Sequence, residues 1–71
     1  MNLPPADPRG SMLWRLVGAL ESMDRAMALP TRERMADGYW NLVDEAIRLY
    51  GLGIVDEARE QFRDRNIWRA A

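Results

Sequence analysis

Cysteine, histidine and lysine are all missing from this 71-residue chain, and each absence closes off a class of chemistry. Without cysteine there is no disulfide and no thiolate to hold zinc, so stability must come from packed side chains, completed where necessary by a partner or a second copy. Without histidine no side chain is poised near neutral pH as a general acid or base, and the commonest metal ligand is gone. Without lysine no Schiff base can form. Hydroxyls are few, namely Ser11, Ser22, Thr31, Tyr39 and Tyr50, and no base is at hand to activate them. No enzyme, no cofactor and no metal site is therefore expected. Apolar runs are only a few residues long, which predicts no membrane span, and the start lacks a signal-peptide pattern. A cytoplasmic location is the default expectation.

What remains is an apolar, helix-forming chain. Hydrophobic residues make up 48%, too many for a disordered tail, and the length suits one small domain with a modest core. Net charge is −1 and the pI is near 5.3, whereas a nucleic-acid-binding domain usually carries a basic surplus. Nucleic acid is therefore not the expected partner.

The proline-rich opening, residues 1–10, reads as a flexible lead-in to a single domain over 11–71. Asp7 before Pro8 has the form of a helix start, but Gly10 so soon afterwards favours Ser11 as the cap. Over 12–28, Leu13, Leu16, Val17, Leu20, Met23 and Met27 recur at helical spacing, and Glu21 is placed to pair with Arg25. Leu29–Pro30 is expected to end this helix, with Thr31 capping a second over 32–50. That second helix has an unusually broad apolar arc. Met35, Tyr39, Val43, Ala46 and Tyr50 form its centre; Ala36, Trp40 and Ile47 flank one side, Leu42 and Leu49 the other. Such breadth suits the middle helix of a bundle. Gly38 inside it predicts a kink or a new start capped by Asp37.

A third helix over 54–65 places Val55, Ala58 and Phe62 on one stripe. Arg65 and Arg69 would continue that stripe, which predicts that the helix stops with Asn66 in a left-handed cap and leaves 66–71 as a short tail. The expected fold is thus all-α: a small three-helix bundle whose C-terminal half is a helical hairpin.

The hairpin's turn, around Gly51–Gly53, admits two functions. As a helix-turn-helix it would make the chain a DNA-binding transcriptional regulator. Against this, the would-be recognition helix carries Asp56, Glu57, Glu60 and Asp64, which would repel phosphates. As a plain hairpin, the stretch resembles one tetratricopeptide-repeat unit through Ala46, Leu49, Gly53, Ala58 and Phe62. The resemblance implies packed antiparallel helices. Glu45 departs from it, standing where the repeat usually has leucine, and no second copy follows in the chain.

The favoured expectation is a non-catalytic protein–protein interaction module: an adaptor, an accessory subunit, or a small inhibitor that occludes a larger partner. A chain so short, acidic and poor in chemistry would suit a phage- or plasmid-type inhibitor of the anti-CRISPR or anti-restriction kind. The candidate contact residues are Trp14, Asp56, Glu57, Glu60, Asp64, Arg65, Trp68 and Arg69. The carboxylates form a surface for a basic partner. Trp68 between Arg65 and Arg69 forms an aromatic–arginine cluster of the kind enriched at interfaces, and Trp14 lies one turn before the notch at Gly18. Trp40 is expected in the core. A homodimer is an open alternative to the monomer, because the second helix's arc exceeds what two short neighbours cover.

Overall fold

The computed structural model describes the backbone at residues 7–26 and 29–70, and side chains at 7–26 and 30–65. Three helices follow one another: α1 over Pro8–Arg25, α2 over Leu29–Tyr50 and α3 over Gly53–Ala70. All three pairs of helices are in contact, giving the expected all-α bundle. No helix among the described residues is long and apolar enough to cross a membrane.

The first helix starts earlier than its sequence pattern suggested. Asp7 is the cap: its Oδ2 accepts from the Gly10 amide at 2.7 Å, and its carbonyl accepts from the Ser11 amide at 2.9 Å. Pro8 sits just inside, where its missing N–H costs nothing and its fixed φ favours the helix. Residues 8–10 thus belong to α1 and not to a lead-in. Gly10 is tolerated because it lies in the first turn, and Ser11 is an interior residue. At the other end α1 stops at Arg25, with Ala26 in an extended conformation.

Leu29–Pro30 opens α2 instead of closing α1, since a first-turn proline is again free of penalty. The helix runs uninterrupted through Gly38, correcting the expected kink. Packing of the surrounding turns outweighs the intrinsic weakness of one glycine, about 1 kcal/mol against alanine. Gly51, at φ +87°, ends α2 in the left-handed conformation that glycine adopts without strain, and its amide reaches back to the Ile47 carbonyl at 2.9 Å.

The third helix does not stop at Arg65. It continues to Ala70, so Asn66 is helical and residues 66–70 are not a separate tail. Charge burial, the reason for expecting a stop, does not arise: Arg65 stays half exposed and finds a carboxylate on α1. The rest of the expected fold-back, Ile67 onto Phe62, lies outside the described side chains.

The core draws on all three helices. Met12, Leu13, Leu16 and Val17 come from α1, Tyr39, Val43 and Ala46 from α2, and Ile54, Val55 and Ala58 from α3. Leu20, Met23, Leu42, Ile47, Tyr50 and Phe62 pack around it, partly buried. Its centre is α1, which packs on both neighbours more extensively than they pack on each other. The broad arc of α2 therefore does not mark the middle helix. Three of its ten residues are left uncovered: Trp40 is 56% exposed, Leu49 59% and Met35 37%. Trp40 is consequently a surface residue and not a core one, with only a T-shaped contact to the adjacent Tyr39 ring. Leu49, one of the positions carrying the tetratricopeptide resemblance, is likewise unpacked.

Candidate functional site

The outer face of α1 carries a notch. An atom added at the Cβ position of Gly18 would meet nothing within 4 Å. Trp14 lies one turn earlier on the same side and remains 41% exposed. Helical period brings Arg15 and Glu21 to the flanks of this notch, while Leu42 of α2 and Arg65 of α3 border it from the neighbouring helices. Together these six residues line a shallow groove of about 440 Å³. A second groove, lined by Gly10, Leu13 and Val17 of α1 and Gln61 of α3, also has Trp14 and Arg65 on its walls. Trp14 is thus a ridge between two concavities, with Arg65 beside both.

Arg65 is held in place. Its Nη1 donates to Glu21 Oε1 at 2.8 Å, and Glu21 is the more buried partner, its side chain 19% exposed against 47% for Arg65. The Glu21–Arg25 pairing expected within α1 gives way to this bridge between helices. A second bridge between α1 and α3 joins Arg9 Nη2 to Glu57 Oε2 at 2.6 Å. Its hydrogen bond raises the Arg9 guanidinium pKa above the ordinary value, against a smaller opposing effect of desolvation. Both bridges have solvent-exposed arginines, so neither adds much to stability. Their main effect is to fix the register of α3 against α1, and hence the position of Arg65 relative to Trp14.

The acidic residues of α3 share one face of the helix, within about 100° of arc, but they do not stand there as bare carboxylates. Glu57 is engaged with Arg9. Asp56 and Glu60 face outward in a shallow depression shared with Arg59 and Arg63, so opposite charges alternate there. Asp64 is exposed as well. Among the described residues no three carboxylates converge where one cation could be held. The structure thus brings Trp14 and Arg65 together, and sets Asp56 and Glu60 beside Arg59 and Arg63. The side chains of Trp68 and Arg69 lie outside the described residues, although the backbone that carries them is helical.

Sequence reasoning missed Arg15 and Leu42. Arg15 was legible as the neighbour of Trp14, one turn before Ala19 and flanking the notch. Leu42 was visible as a flank of the α2 arc, but its proximity to Gly18 depends on how α1 and α2 pack, which no local pattern encodes. Family models, curated proteins and solved structures offer no match to this chain.

Proposed function

We propose that the chain is a non-catalytic protein-interaction module that docks on a larger protein, and occludes it, through the outer face of α1. The observation that carries this reading is the exposed Trp14 indole standing beside the open notch at Gly18, with Arg15 and Arg65 within the same groove. Tryptophan and arginine are the residues that most often dominate binding energy at interfaces. Here they surround a concavity that admits an apolar side chain of the partner. A matching partner surface would present an apolar knob flanked by carboxylates, which pair with guanidinium groups in strong charge-assisted hydrogen bonds.

Duplex DNA fits this molecule less well. The outer face of α3 offers Asp56 and Glu60 alongside Arg59 and Arg63, and a surface of alternating sign gains little from phosphates. The test is affinity capture from cells that encode the chain, with wild type and Trp14→Ala as bait and with and without nuclease. A partner held by wild type, resistant to nuclease and lost with Trp14→Ala supports the proposal, provided the variant melts within a few degrees of wild type. Capture that vanishes on nuclease treatment, or that is equal for both baits, overturns it.

A further inference from the structure

The outward flank of α2 is a second surface, which shares the partly buried Leu42 with the groove on α1, and its pattern is self-complementary. At about 100° per residue, Thr31, Gly38, Leu42, Glu45 and Leu49 fall within an arc of about 60°, with Arg34 at its border. Leu49 is the most exposed large hydrophobic side chain among the described residues of α2, and nothing lies within 4 Å of a Cβ added at Gly38. Among the described residues neither Arg34 nor Glu45 has an ion-pair partner, since the two bridges of the bundle use Arg9, Glu21, Glu57 and Arg65.

These residues are arranged symmetrically about the level of residue 40. Gly38 and Leu42 lie two positions to either side of it, and Thr31 and Leu49 nine positions to either side. The midpoint of Arg34 and Glu45 falls half a residue away, a displacement of about 0.75 Å along the axis. A two-fold axis at that level, perpendicular to the helix, therefore sets Leu42 over Gly38 of a second copy. It also sets Leu49 against Thr31 and Arg34 against Glu45, and every pair occurs twice. Trp40 projects from the opposite side of the helix at this period and takes no part.

We infer that α2 is the interface of an antiparallel homodimer, in which Leu42 of each copy fills the notch at Gly38 of the other and two Arg34–Glu45 bridges flank the seam. Isologous contact of this kind is the usual way an apolar face is closed by a second copy. A seam of one helix on one helix, about 27 Å long from Thr31 to Leu49, is below the standard interface size, so dissociation is expected in the micromolar range.

Sedimentation of the full chain from about 1 µM to 1 mM tests the inference, with the 8.2 kDa monomer giving way to twice that mass. Gly38→Leu has room in the monomer and favours the helix, so it should fold at least as stably while weakening the dimer about tenfold or more. Arg34→Glu and Glu45→Arg should each weaken the dimer about fivefold or more, because two bridges become two repulsions, and the double charge swap should restore it. Trp14→Ala should leave the dimer intact, which separates failure of this inference from failure of the α1 reading. A constant 8.2 kDa mass, a dimer indifferent to Gly38→Leu, or a double swap no tighter than the single variants would overturn it.

Discussion

Tyr39 lies at the heart of the bundle, 3% exposed, and its hydroxyl has no hydrogen-bond partner among the described residues. A buried hydroxyl without a partner forfeits its hydration with no return, a penalty of about 1–3 kcal/mol. The ring itself is well placed, packed with Val43 and Ala46 on the face that meets the other helices. Tyr39→Phe keeps the ring and deletes the cost of the unpaired hydroxyl, so it should stabilise the protein by about 1–2 kcal/mol. In a domain of this size that corresponds to a rise in melting temperature of roughly 4–16 °C. The assay is thermal unfolding followed by circular dichroism at 222 nm, with urea titration as a check that the m-value is unchanged. Both should be run at one low concentration, so that self-association does not contribute. A fall in melting temperature would refute the reasoning, because it would mean that the hydroxyl makes a net favourable bond in the folded state.

Two further outcomes test the chain ends of the helices. Asp7→Ala removes the α1 cap and should cost about 1 kcal/mol, while Ser11→Ala should change stability by less than about 0.5 kcal/mol; the reverse order in chemical denaturation would restore Ser11 as the cap. Gly51→Ala forces a side chain into the left-handed region at φ +87° and should destabilise by about 1 kcal/mol, whereas Gly53→Ala, in the first turn of α3 with open space around it, should be neutral or stabilising. Equal melting temperatures for those two alanine variants would contradict the turn geometry.

The sequence-level reading was most reliable where one helix's own period decides the outcome. Leu16, Val43, Ala46 and Ala58 are buried as their spacing implies, because residues three and four apart share a face whatever the neighbours do. It failed where two effects of similar size competed. At the start of α1, one glycine at position 10 was weighed against an Asp–Pro cap, and the cap prevailed. At Gly38 the local cost of about 1 kcal/mol was smaller than what the packed turns on either side contribute. At Arg65 the expected cost of burial was absent, because a long side chain carries its charge to the rim of the bundle, where Glu21 receives it.

The α2 arc shows why hydrophobic breadth alone does not locate a helix within a bundle. Breadth suits contact with two neighbours, but a third surface of the same helix can be apolar for a different reason. In the folded chain α1, with a narrower stripe, takes the central place, while Met35, Trp40 and Leu49 of α2 remain in solvent. A core position and an interface position have the same residue preferences, since both are defined by exclusion of water. Only the fold tells them apart, by showing which apolar side chains the chain's own helices leave uncovered. The same reasoning moves the functional weight from the charged stripe of α3, where Arg9, Arg59 and Arg63 offset the carboxylates, to Trp14 and the α2 flank, where uncovered apolar surface lies next to empty space at Gly18 and Gly38. Charge patterns along a single helix are altered by whatever the neighbouring helices bring beside them. A notch left by an exposed glycine changes less, because the neighbouring helices border it without any atom coming within 4 Å of the missing Cβ.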